Sequence, residues 1–211
     1  FYEYPRFTYP WHFHSEYEII YVEKGEGDCL VGDSIISYSK GDLILFGSEL
    51  PHSMQSPPDD GEESDNEEKS ELKVRGVNIQ FEKDFMHYSI SQYSQFIPIR
   101  NLLEDACRGI KFTITRSGKI IKLLKQIPSA KGVDQIILLL SLLQMMATSN
   151  HRKYLTTSHY TPSPSIMRNE RMEKVIAYLN KHYTESIGLD EIASYTAVSY
   201  THLTLPTNSL V

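Results

Sequence analysis

The feature that most constrains the fold is the spacing of three polar residues near the start of the chain. His12 and His14 are two positions apart, and Glu18 follows four positions later, in the string HFHSEYE. In an extended chain, residues an even number apart point to the same side. A fourth polar residue, His52, ends the string GDLILFGSELPH. We expect these four side chains to meet inside a β structure, as a polar small-molecule pocket or a metal site.

This spacing resembles the two motifs of the cupin family over about residues 5–82. The first motif is matched by His12, His14, Glu18 and Gly25, and the second by Gly41 and His52. The sequence departs from the motifs at Arg6, Gly47, Glu49 and Ser56, where the family usually has Gly, Pro, Gly and Asn. The resemblance implies an antiparallel jelly-roll β-barrel. It leaves three roles open for the four side chains: effector binding, a divalent metal ion, or structural hydrogen bonding.

Short strands and turns are indicated through the first 82 residues. The dipeptide Gly32-Asp33 suits a tight turn between two strands. In LKVRGVNIQF, apolar residues alternate with polar ones, which is typical of a strand with one polar face. We expect Asn78 and Gln80 on that polar face to line the pocket, with Trp11 beside it as a core, rim or ligand-stacking residue.

The acidity of the chain is local. Residues 57–71 contain eight acidic residues and one lysine, whereas the whole chain has a net charge of −6, so the remainder carries +1. We interpret this run as a solvated loop between two strands. It does not argue against nucleic-acid binding by the rest of the chain.

Helical sequence replaces the strand pattern over residues 83–150. The segment VDQIILLLSLLQMMATS is apolar nearly all round, which indicates burial on more than one side. We therefore expect this region to form a homodimer; the alternative is a helix buried within its own domain. The predicted contact residues are Ile136, Leu139, Leu140 and Leu143. The apolar run is too short to span a bilayer, and we expect no membrane association.

A linker is predicted at residues 151–168, which are polar and contain two X-Pro steps. Residues 169–197 then resemble the opening of the DNA-binding domain of AraC-type transcription regulators, in RMEKVIAYLNKHYTESIGLDEIASYTA. Asn169 is a plausible N-cap of the first helix. In that family a cupin-like sensor is joined by helices and a linker to helix-turn-helix units, in the order predicted here. The fold class is thus α+β: a jelly-roll barrel, then helices and a partial helix-turn-helix.

The resemblance stops at Ala197. Residues 198–211, VSYTHLTLPTNSLV, look like a translated sequencing adapter, and we interpret them as a non-native tail. The DNA-binding residues stay unidentified because the recognition helix should begin here. The chain starts at Phe1 without Met, so we also expect an incomplete N-terminus.

The family resemblance implies a regulator that senses a small molecule in residues 1–82 and acts on DNA when intact, without catalysis. The resemblance implies a small polar effector such as a sugar, and a cytoplasmic location fits two cysteines without a disulfide framework. The alternative is a metal-dependent cupin enzyme, a dioxygenase or isomerase, with a divalent metal at His12, His14, Glu18 and His52. The helices after residue 83 weigh against it.

Overall fold

The computed structural model describes residues 1–57, 74–114, 118–161, 178–179, 182 and 188–196. The chain divides into two compact units. The first contains residues 1–9 and 13–162, and the second contains residues 10–12 and 163–211. The acidic run at 57–71 and the tail at 198–211 lie outside the described residues, except for Pro57.

The described strands of the first unit form two antiparallel sheets. The six-stranded sheet has the order β1-β7-β2-β5-β8-β9, and the three-stranded sheet has the order β4-β3-β6. The strands are β1 Tyr2–Tyr4, β2 Tyr17–Lys24, β3 Gly27–Val31, β4 Ser34–Tyr38, β5 Asp42–Phe46, β6 His52–Gln55, β7 Val74–Phe81, β8 Ile110–Thr113 and β9 Arg152–Tyr154. The predicted turn at Gly32-Asp33 joins β3 to β4, and Gly32 has the positive φ of 55° that such turns need.

The six-stranded sheet is covered on both faces. Alternate residues of its central strand β2 enter two different cores: Ile19 and Tyr21 pack with the helices, whereas Ile20 and Val22 pack with residues of the three-stranded sheet. This double burial explains why β2 and β5 are apolar on both faces instead of alternating. One core therefore lies between the sheets, and the other lies between the six-stranded sheet and the helices.

Four described helices cover the outer face of the six-stranded sheet. They are α1 His87–Gln92, α2 Ile97–Asp105, α3 Gly118–Gln126 and α4 Val133–Ala147. Helix α4 contributes Leu139, Leu142, Leu143 and Met146 to the core. Lys125 of α3 also pairs with Glu23 of β2, at 2.5 Å, which joins a helix to a central strand of the sheet.

The predicted mixed fold with antiparallel sheets is confirmed, but two boundaries differ. Strand β8 lies within the region predicted as helical and pairs with β5. Strand β9 lies within the predicted linker and pairs with β8. Residues 152–161 are therefore part of the first unit and not a free linker.

In the second unit, the structure describes a helix, α5, at Leu189–Thr196. It begins directly after Gly188. The Tyr178 hydroxyl donates to Glu191 at 2.8 Å and its ring packs on Tyr195. Asn169, predicted as an N-cap, lies outside the described residues. Among the helices described, none has the length and apolarity needed to cross a lipid bilayer.

Candidate functional site

A buried carboxylate, Glu18, is the centre of the candidate site. It is the second residue of β2, lies opposite Gln80 of β7 and Phe46 of β5, and is only 4% exposed. Its side chain points to the same face as Ile20 and Val22, towards the three-stranded sheet. A carboxylate in such a position is strongly destabilising unless hydrogen bonds and opposite charge compensate it.

Four side chains surround this carboxylate. The Asn78 and Gln80 amides donate to Glu18 Oε1 at 2.6 and 3.2 Å. On the other oxygen, His52 Nε2 lies 2.8 Å and His14 Nε2 lies 3.3 Å from Glu18 Oε2. We call Glu18 and these four side chains the Glu18 network. It joins both sheets, because His52 belongs to the three-stranded sheet.

Each histidine of the network faces oxygen at both ring nitrogens. His52 Nδ1 lies 2.8 Å from the Leu50 carbonyl oxygen, and His14 Nδ1 lies 3.1 Å from the Glu16 carbonyl oxygen. Carbonyl oxygens only accept hydrogen bonds, so hydrogen on the two Nδ1 atoms would satisfy these contacts. The Nε2 atoms of both rings face the same carboxylate oxygen, Glu18 Oε2.

The electrostatics agree with an ionised Glu18. Burial alone raises the pKa of its carboxyl, but hydrogen bonds from His14, His52 and Asn78 together with the charge of His52 outweigh burial and hold the pKa well below its usual range. The hydrogen bond to Glu18 raises the pKa of His14, against the opposing effect of burial. Both shifts favour a charge-assisted hydrogen bond between the two groups.

The turn before β6 positions His52. Glu49 has a φ of 63°, in the left-handed region that favours glycine, which fits the usual Gly of the cupin motif at this position. Its N–H donates to the His14 carbonyl at 2.8 Å. The turn thereby fixes His14 and His52 relative to each other, and their ring centroids are 5.3 Å apart.

Sequence reasoning missed one neighbour of the network. The Phe46 ring stacks on His52 at 4.2 Å between centroids, with the planes 9° apart. Phe46 lies in the apolar run LILF, which predicts a buried strand but not its register against Glu18. Strand register depends on contacts that are distant in sequence, so no local signal would have identified this contact.

Five of the predicted site and pocket residues belong to the first unit. His14, Glu18, His52, Asn78 and Gln80 form the network described above. Trp11 and His12 belong to the second compact unit, where His12 Nδ1 lies 2.8 Å from the Pro10 carbonyl oxygen. Their predicted part in the site stays a prediction, as does effector binding by the network.

The predicted dimer residues on α4 need correction. Leu139 and Leu143 are buried in the core of this chain, so they are not available to a partner. Leu140 is half-buried, whereas Ile136 and its neighbour Ile137 are 41% and 53% exposed. The apolar character of α4 therefore serves mainly its own core, with a remaining exposed face at Ile136 and Ile137.

Residues 1–65, which carry strands β1 to β6, match the family model of the AraC-like ligand binding domain. Over 92% of its length, the chain is 24% identical to the uncharacterized HTH-type transcriptional regulator YbfI of Bacillus subtilis (strain 168). It spans 63% of the length of that relative.

Two solved structures are also similar to this chain. ToxT from Vibrio cholerae matches with a TM-score of 0.40 and 12% identity, over 96% of this chain and 69% of ToxT. The AraC-like transcriptional activator CuxR matches with a TM-score of 0.38 and 8% identity, over 90% of this chain and 59% of CuxR.

Proposed function

We propose that this chain is the ligand-sensing part of a transcription regulator, and that its effector binds at the Glu18 network. The observation that carries the proposal is a buried, charge-assisted polar network inside an AraC-like ligand-binding domain. Regulation through bound small molecules needs no catalytic step, because a ligand that prefers one conformation shifts the population towards it.

The network suggests a polar effector that forms hydrogen bonds. His14 retains 18% exposure of its side chain, whereas Glu18 and His52 retain 5% and 3%. A ligand would therefore approach from the His14 side. A hydroxyl compound such as a sugar suits the network, because a hydroxyl both donates to a carboxylate and accepts from an imidazole or amide.

Thermal unfolding with a panel of neutral sugars, polyols and short carboxylates tests this proposal. A compound that binds the folded chain raises its unfolding midpoint. We expect one class to stabilise the parent chain and to leave the Glu18→Gln variant unchanged. Equal stabilisation of both chains would place the binding site elsewhere.

A metal site is a second candidate at the same place. The Nδ1 contacts with backbone carbonyls turn both Nε2 atoms towards Glu18 Oε2, the arrangement that orients metal-binding histidines. Two imidazoles and a carboxylate would suit a divalent transition metal, as in the alternative of a cupin enzyme. Elemental analysis of protein purified without chelators separates the two candidates. A stoichiometric metal supports the metal site, and protein without metal supports the effector site.

DNA and a second copy of the chain are the proposed macromolecular partners. The relative's description as an HTH-type regulator and the position of α5 support DNA binding in the intact protein. For this chain, we expect no sequence preference in titrations of a promoter fragment against an unrelated duplex, because base readout needs a recognition helix and the family resemblance stops at Ala197, where that helix should begin.

The homodimer would form at the exposed face of α4. Ile137 and Leu140 line a groove of about 340 Å³ together with Phe96 and Ile99 near and on α2. Large exposed aliphatic side chains beside an apolar groove are typical of an interaction surface.

A further inference from the structure

The segment that follows β9 is attached to the first unit at several points. Leu155 is 5% exposed and packs in the core between the sheets. Its N–H donates to the Gly109 carbonyl at 3.0 Å, and the Thr156 N–H donates to the Arg108 carbonyl at 3.1 Å. Backbone pairing therefore continues beyond Tyr154, the last residue of β9. We call residues 152–161, which comprise β9 and the residues after it, the latch segment.

Two charged side chains hold the latch segment. Arg108 Nη2 donates to the carbonyl oxygens of Thr156 and Thr157 at 3.3 and 3.1 Å, and its guanidinium lies 4.4 Å from the centre of the Tyr154 ring. From the other side, Asp33 accepts hydrogen bonds from the Thr157 N–H at 3.0 Å and from the Thr157 hydroxyl. Because Arg108 and Asp33 are charged, these hydrogen bonds are stronger than those between neutral groups.

The Gly32-Asp33 turn is shaped to receive this segment. A Cβ at Gly32 would lie 2.6 Å from Thr156 Cγ2 and 2.8 Å from the Tyr160 ring. Only glycine allows this close approach. The Gly32 N–H also donates to the Pro51 carbonyl at 2.9 Å, directly before His52. The turn thus contacts both the latch segment and the strand that carries His52.

A second set of contacts joins the latch segment to the Glu18 network. The Leu50 carbonyl accepts from His52 Nδ1, and the Leu50 side chain is buried in the same core as Leu155. Both leucines pack against Gly109, where a Cβ would lie 3.2 Å from Leu155 and 3.3 Å from Leu50. A displacement of His52 would therefore act on Leu155 through Leu50 and Gly109.

We propose that attachment of the latch segment is coupled to the state of the Glu18 network through Leu50 and the Gly32-Asp33 turn. The proposal rests on the proposed function, since it names the element through which effector binding would act on residues 163–211. By linkage, the coupling acts in both directions. A change at Glu18 alters the attachment of the latch segment, and a change at Asp33 alters the environment of His52.

Hydrogen exchange of the whole chain, read by mass spectrometry, tests the first direction. In the Glu18→Gln variant we expect amides of Leu155, Thr156 and Thr157 to exchange several-fold faster, with the α4 peptide as the reference for global opening. Unchanged exchange in the latch segment would overturn the proposal. An increase of the same size in the α4 peptide would also overturn it, because the variant would then open as a whole and not at the latch segment.

The second direction uses exposed substitutions that do not disturb the core. Asp33→Asn should shift the imidazole NMR signals of His52, whereas the matched control Asp28→Asn, on the strand before the same turn, should not. Identical His52 signals in parent and Asp33→Asn would overturn the proposal whatever the exchange data show. Neither experiment uses an effector or DNA, so a failed search for an effector would count against the proposed function alone.

Discussion

His52 Nε2 lies 2.8 Å from Glu18 Oε2, and this contact joins the two sheets inside the first unit. Both residues are almost fully buried. His52 also hydrogen-bonds through Nδ1 to the Leu50 carbonyl, so the pair is fixed at both ends. A buried charged pair of this kind contributes little net stability, but removal of one partner leaves the other charge uncompensated.

Replacement of Glu18 should therefore be costly. We expect Glu18→Ala to lower the free energy of unfolding by about 3–5 kcal/mol, as when one partner of a buried ion pair is lost. Glu26→Ala, at an exposed position between β2 and β3, should stay within about 0.5 kcal/mol of the parent. Urea unfolding measures both variants. Equal small effects would mean that Glu18 is hydrated and not held by the network.

The exposed face of α4 should govern self-association. We expect Ile137→Asp to remain folded and monomeric where the parent sediments as a dimer, because Ile137 is 53% exposed and lines the groove. Leu143→Asp should instead unfold the chain, since it places an unpaired charge in the core at a cost of about 3 kcal/mol or more. A parent chain that sediments as a monomer at high concentration would contradict the dimer.

The attachment of the latch segment should weaken at acidic pH. Hydrogen bonds from the side chain and then the backbone of Thr157 lower the pKa of Asp33, with a smaller contribution from Ser34. A carboxyl with a lowered folded-state pKa stabilises above its unfolded pKa, and this contribution is lost as pH falls through the folded pKa. NMR titration should show a larger rise in the pKa of Asp33 for Thr157→Val than for Ser34→Ala. The opposite order would contradict the contact.

Gly47 should tolerate no side chain. A Cβ there would lie 2.5 Å from the Ala106 carbonyl group, so the turn after α2 would have to shift. We expect Gly47→Ala to destabilise the chain by about 1–3 kcal/mol, as overpacked cores do. Gly118→Ala, at the open start of α3, should instead stabilise it by about 0.5 kcal/mol. Thermal unfolding compares the two glycines directly.

Local patterns predicted much of the site but not its surroundings. The alternation in β7 correctly separates Asn78 and Gln80 from Val77 and Ile79, because the strand period of two depends only on the backbone. The position of Glu18 within β2 follows from the same rule. Phe46 could not be placed, since its contact with His52 depends on strand register and sheet packing.

Longer-range contacts also explain the missed elements. Strands β8 and β9 have four and three residues, too few to show a pattern. Strand β8 pairs with β5, and β9 pairs with β8, so both depend on partners that are distant in sequence. Leu139 and Leu143 were predicted at a dimer contact because α4 is apolar on several sides. Helical periodicity shows which residues share a face, but it does not show whether the sheet or a second copy covers that face.

The most direct test of the central claim is the imidazole NMR spectrum of His14 and His52 during titration with a stabilising compound from the thermal screen. We expect the signals of both histidines to shift in a saturable manner, with the same midpoint as the stabilisation, and the Glu18→Gln variant to bind more weakly. A compound that binds both chains equally, without moving either histidine signal, would contradict the assignment of the Glu18 network as the effector site.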